Sequence, residues 1–92
     1  MSKENNIILD FWAPWCVPCK QMKPAVERIA SEYADRVEVK AINIEEDTSD
    51  ISAKYNVRNI PTIVFVKDDK EVERIVGTKT YDFIKTKVEE IF

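Results

Sequence analysis

Cys16 and Cys19 are the only cysteines in this chain of 92 residues, and they stand three positions apart in Trp15-Cys16-Val17-Pro18-Cys19. Where a helix begins at such a pair, the two thiols share a face and lie close enough to form a disulfide with each other. A cysteine at a helix N-terminus also meets unpaired backbone N–H groups and the positive end of the dipole, which favour thiolate over thiol. The spacing supplies a nucleophile and a partner able to resolve its mixed disulfide. That is thiol–disulfide redox chemistry.

Other uses of two cysteines are inert core thiols, half of a zinc site, or a static disulfide. Structural zinc takes four Cys or His ligands. This chain has two cysteines and no histidine, so zinc would need a second subunit, and no metal is expected. A static disulfide closing so short a loop would stabilise little by the loop-entropy argument.

The second candidate is Asp10, an acid inside the otherwise apolar run Ile7-Ile8-Leu9-Asp10-Phe11-Trp12 that leads to the cysteines. An ionised carboxylate buried without a partner is costly, so it stays partly protonated or finds one. Either Asp10 reaches water at the strand end, or it sits buried beside the cysteine loop as a proton acceptor and donor. The second reading carries a raised pKa as its signature.

These residues need a scaffold, and the chain length allows one domain with a single core, residues 1–92. A hydrophobic fraction of 45% and a charged fraction of 34% are those of an ordinary soluble globular protein. A net charge of −3, with acids and bases interspersed, gives no footprint for nucleic acid or membrane. No apolar run approaches a membrane span. The opening Met1-Ser2-Lys3-Glu4-Asn5-Asn6 is polar, lacks a signal-peptide core, and reads as a flexible or partly ordered terminus over residues 1–6. A cytoplasmic location is expected, where a lone cysteine pair is more often catalytic than structural.

Ile7 to Trp12 reads as a strand buried on both faces. Ala13 to Cys19 is a loop running into a helix, and Pro18 is tolerated in its first turn. Met22, Val26, Ile29, Ala30 and Tyr33 recur at helical spacing, carrying that helix to about Ala34, with a kink expected at Pro24. Arg36 to Ile44 is a second strand. Asp47 or Thr48 caps a short helix bearing Ile51 and Tyr55. Pro61 to Lys67 and Glu71 to Val76 form a hairpin across a charged turn. Thr78 or Thr80 caps a last helix with Tyr81, Ile84, Val88 and Ile91 on one stripe. The order is β-α-β-α-β-β-α, with a right-handed crossover making the first two strands parallel.

The chain closely resembles the thioredoxin family. The resemblance rests on Asp10-Phe11-Trp12-Ala13-Pro14-Trp15-Cys16 through Cys19-Lys20, then Pro24, Asn43-Ile44-Glu45, Lys54-Tyr55-Asn56-Val57, Ile60-Pro61-Thr62 and Val76-Gly77, in family order from Ile7 onward. It implies an α/β thioredoxin fold, with a mixed sheet and helices on both faces. Three departures stand out. Val17-Pro18 replaces the usual Gly-Pro. The longer members open with an extra strand and helix, for which the residues before Ile7 are too few, so four strands are expected rather than five. Ala41 occupies the position where the family often has a lysine beside the buried aspartate; Lys40 is one residue off and points to the opposite face.

The resemblance also implies roles. Cys16 is the exposed attacking thiolate, Cys19 the resolving thiol one turn inward, and Asp10 the general acid/base serving Cys19. The Ile60-Pro61 bond, which could otherwise be an ordinary strand start, is implied to be cis and to lie against the cysteines. Trp15, with Val17, Pro18, Ile60, Pro61, Val76 and Gly77, would form the client-docking patch; Ile60 and Val76 could equally be core. Trp12 is read as mostly core, Pro24 as structural, and Lys20 as either a thiolate-stabilising or a plain solvated lysine.

The implied activity is reduction of disulfides in client proteins by a monomer that binds no cofactor. Its electrons would come from NADPH through a separate flavin-dependent thioredoxin reductase. One alternative runs the same chemistry as a disulfide oxidase or isomerase, whose strongly oxidising members usually carry histidine between the cysteines. Another is a non-catalytic binding subunit on the same fold, for which Cys16, Cys19, Asp10 and Pro61 together would be unnecessary.

Overall fold

A computed structural model describes residues 5–92. Its elements are β1 (Asn6–Trp12), α1 (Val17–Glu32), β2 (Glu38–Asn43), α2 (Ile51–Lys54), β3 (Thr62–Lys67), β4 (Lys70–Val76) and α3 (Tyr81–Ile91). The strands form one sheet in the order β2-β1-β3-β4. β1 runs parallel to β2 and antiparallel to β3, and β3 runs antiparallel to β4. This is the four-stranded mixed sheet that the resemblance implies.

Strand alternation divides the core. Ile8 of β1 joins Ile63 and Phe65 of β3 under α1 and α3, which contribute Met22, Val26, Ile29, Ile84 and Val88. Leu9 and Phe11 point the other way, with Val64 and Val66, toward Ile51 and Tyr55 around α2. β1 is therefore apolar on both faces because helices cover both. Phe92, at the end of the α3 stripe, is buried against Phe65, with ring centroids 6.3 Å apart. Tyr33 donates its hydroxyl to Glu89 at 2.6 Å, and Tyr81 donates to Glu32, so two phenol–carboxylate bonds tie α1 to α3.

Several boundaries move for local reasons. The expected flexible terminus over residues 1–6 lies partly outside the described residues, and its last member belongs to β1. Asn6 is buried, and its side-chain amide donates to the Arg36 carbonyl at 3.0 Å. Helix α1 ends at Glu32 rather than Ala34, because the Tyr33 carbonyl turns to accept from Arg36 and Val37, both at 2.9 Å. β2 then starts at Glu38 rather than Arg36. Helix α1 continues through Pro24.

The cap of α2 is not the expected one. Asp50 occupies the cap position with a left-handed φ of 54° and makes no side-chain cap bond, while Asp47 accepts from the Ser52 N–H at 2.7 Å. Thr80 caps α3 by accepting from the Phe83 N–H at 3.2 Å. The β3–β4 turn places Asp68 and Asp69 at φ of 53° and 67°, the paired positive values that match a tight hairpin to strand twist.

Candidate active site

The loop after β1 delivers Cys16 to the N-cap of α1. Its backbone is extended, with φ −88° and ψ 101°, and its sulfur accepts from the Cys19 N–H at 3.2 Å. Pro18 sits in the first turn, where a missing N–H costs nothing. Cys16 and Cys19 are joined by a disulfide, their Cα atoms 5.3 Å apart. The Cys16 sulfur thus lies where backbone donors and the helix dipole favour negative charge.

Cys16 is not exposed in this disulfide form, contrary to the sequence-based expectation. Its relative exposure is 5%, against 6% for Cys19. Ala13 packs with both cysteines, and Trp12, Ile44 and Ile60 pack against this cluster from three separate segments. The outward atoms beside the pair belong to Trp15 and Val17, 62% and 61% exposed. Pro18 is also exposed.

Asp10 is half-buried in β1. Its register partners are Ala41 on β2 and Ile63 on β3, while Lys40 pairs with Leu9 and so faces the other side of the sheet. Neither strand neighbour offers a cation, and burial pushes the Asp10 carboxyl up to about 6. A cleft of about 430 Å³ opens beside it, walled by Asp10, Trp12, Cys19, Lys20, Lys23 and Ala41. Asp10 and Cys19 are both among its walls.

Ile60-Pro61 is a cis peptide. Pro61 is buried, and its carbonyl accepts from the Gly77 N–H at 2.9 Å. Gly77, the chain's only glycine, holds φ at 91° as β4 ends, a conformation that suits a residue without Cβ. Val76 is 50% exposed and pairs with Thr62 across the hairpin. Ile60 is half-buried between the cysteine cluster and the α2-side core.

A model of the thioredoxin family matches residues 1–90. This chain belongs to the thioredoxin family. It is 42% identical over 71 residues to Thioredoxin 1 of Synechococcus elongatus, covering 77% of this chain and 65% of that protein. It is 39% identical over 77 residues to the chloroplastic M-type thioredoxin of Spinacia oleracea, covering 84% of this chain and 42% of the relative. With a thioredoxin of Chlorobaculum thiosulfatiphilum it shares 31% identity over 90 residues, 98% of this chain and 82% of the other. The chain spans about half to two thirds of the length of several of the curated relatives it matches.

Within this thioredoxin-family site, sequence reasoning passed over Glu45. The Trp15 indole N–H donates to its carboxylate at 2.8 Å. Glu45 donates its own N–H to Asn43 Oδ1 at 3.0 Å, and the Asn43 amide donates to Glu46 at 3.1 Å. The Ile44 N–H donates to the Trp12 carbonyl at 2.9 Å, fixing this turn beside the cysteine loop. Glu45 stands in the matched Asn43-Ile44-Glu45 segment, which was the available signal.

Among the described residues, no helix is long and apolar enough to cross a membrane.

Proposed function

We propose that this chain is a thiol–disulfide oxidoreductase that reduces disulfides in client proteins. The observation that carries the reading is the Cys16–Cys19 disulfide itself, with Cys16 on the α1 N-cap and Cys19 in one cleft with Asp10.

In the reduced form, the Cys16 thiolate attacks one sulfur of a client disulfide and expels the other as a thiolate. Trp15, Val17, Pro18, Ile60, Pro61, Val76 and Gly77 form the surface on which the client segment docks. Asp10 then takes the Cys19 proton, and the Cys19 thiolate attacks the Cys16 sulfur. The reduced client leaves, and the Cys16–Cys19 disulfide is formed. Asp10 suits this work because an acid with a pKa of about 6 both accepts and returns a proton near neutral pH.

The chain works as a monomer and holds no cofactor of its own. NADPH supplies its electrons through a separate thioredoxin reductase. A two-cysteine redox pair of this kind fits a reducing compartment, and the cytoplasm is proposed.

Equilibration with glutathione and reduction of insulin disulfides test the reading. A potential near about −270 mV, the established figure for thioredoxins, together with insulin reduction, supports it. A value near about −120 mV, that of a strong periplasmic oxidant, would reverse the direction of electron flow.

A further inference from the structure

β2 is a terminal strand of the sheet, and among the described residues only β1 pairs with it. Its other edge is open. Just past β2, the Ile44 N–H donates to the Trp12 carbonyl at the end of β1. Successive residues of a strand turn their N–H and C=O groups to opposite edges, so Ile42, Lys40 and Glu38 bond toward β1. Val39 and Ala41 direct theirs outward. Such an edge is a template for another strand.

The side chains of β2 divide by face. Val39 is half-buried against the core under α1 and α3, and Ala41 follows it on that face, exposed. Glu38 and Lys40 take the other face, also exposed, and neither enters a salt bridge among the described residues. An acid and a base thus stand two positions apart on one face of an open edge.

We propose that this edge binds a second copy of the chain, the two β2 strands pairing antiparallel about a two-fold axis at Val39. An axis perpendicular to the sheet keeps each face continuous, so residues pair only with residues of their own face. With Val39 opposite Val39, Glu38 of each copy faces Lys40 of the other, and Ala41 faces Val37. The two Val39 residues exchange both backbone hydrogen bonds through their outward groups. Each Glu38–Lys40 pair then falls at a position without ladder bonds, where Cα atoms approach to about 4.5 Å and side chains are closest. Opposite charges directly across such a pair stabilise it, and like charges oppose it.

Charges on an edge strand commonly keep other strands away. Here they select a partner, because an acid and a base at this spacing are complemented by the same strand reversed. Moving the register two residues either way sets Lys40 against Lys40 or Glu38 against Glu38. Cys16, Cys19 and Pro61 lie outside β2, so each copy keeps a whole site and one chain remains the working unit. Strand pairing over Val37 to Ala41 is short, which makes the association reversible and dependent on concentration.

Sedimentation velocity at low ionic strength should show the wild-type mass moving from one chain toward two as concentration rises. Glu38→Lys and Lys40→Glu each set like charges across both pairs and should remain single chains. Mixed in equal amounts, the two variants restore opposite charges and should form a dimer with one copy of each. Both positions are exposed, so neither change disturbs the core. Cross-linking in a Cys16→Ser/Cys19→Ser background reads the register. Val39→Cys brings two Cα atoms to about 5.5 Å across the axis, inside the span of a disulfide, and should oxidise to a linked dimer. Ala41→Cys thiols are offset by about 14 Å along the strand and should not link. A wild-type chain that stays single at about 1 mM overturns the proposal and leaves the edge to a strand of another protein. A dimer that both single variants retain, or one that links through Ala41→Cys, overturns it as well.

Discussion

The indole N–H of Trp15 donates to Oε2 of Glu45 at 2.8 Å, joining residues 30 positions apart across the entrance to the cysteine loop. Trp15 is otherwise exposed, and an exposed indole held in one orientation loses less freedom when a client docks on it. Glu45 is itself held by the Asn43 side chain, so the tether runs from the end of β2 to this exposed indole.

Glu45→Ala should therefore weaken client docking and leave the chemistry intact. One exposed, charge-assisted bond is worth about 1 kcal/mol, which corresponds to a rise in KM for insulin of about fivefold with kcat nearly unchanged. Glu45→Gln retains an acceptor and should recover most of the loss. A fall in kcat with KM constant would place Glu45 in the chemical step.

Asp10 sets a pH dependence whose sign follows from its surroundings. Burial raises its pKa from 3.8 to about 6, so the folded protein holds this proton more tightly than the unfolded chain. The corresponding stability is fully present below pH 3.8 and is lost as pH rises through about 6. The loss is on the order of 2–3 kcal/mol. In the oxidised protein, Asp10→Asn should be more stable than wild type by about 2 kcal/mol at pH 8 and equal to it at pH 3.5, as read from urea unfolding. The same variant should lose the activity step near pH 6. Equal stability at both pH values would mean that Asp10 is solvated.

Replacing the resolving thiol separates a redox enzyme from a binding subunit. Cys19→Ser leaves Cys16 able to attack and unable to be released, so the protein should accumulate as covalent mixed disulfides with insulin chains, visible on non-reducing gels and cleared by dithiothreitol. Turnover should fall to background. Retention of clients without any covalent species would favour the scaffold.

What the sequence made legible was local or periodic. The alternation of β1 and the Asn43-Ile44 anchor placed Ala41, not Lys40, opposite Asp10, and the register agrees. The α3 cap narrows to Thr78 or Thr80, because side-chain capping acts within one turn, and Thr80 makes the bond. The burial of Cys16 was hidden because its walls come from Ala13, Ile44 and Ile60, brought together only by the fold. The Trp15–Glu45 bond and the cleft beside Ala41 were hidden for the same reason. Asn6 escaped because its place in β1 depends on a carbonyl 30 residues away.

The register makes a final, opposed pair of expectations. Ala41 faces Asp10 across β1 and β2, and it lines the same cleft. A lysine there would place an ammonium beside the carboxylate in a partly dry space, where an opposite charge lowers an acid's pKa by about 1–3 units. Ala41→Lys should therefore move the Asp10 titration from about 6 back toward 3.8, and the pH step in activity should move with it. Lys40 pairs with Leu9 and projects from the other face, so Lys40→Ala should leave both unchanged. The Asp10 carboxyl carbon, followed by NMR through a pH series, reads the two variants directly. A shift with Lys40→Ala and none with Ala41→Lys would mean that β2 pairs with β1 one residue out of this register.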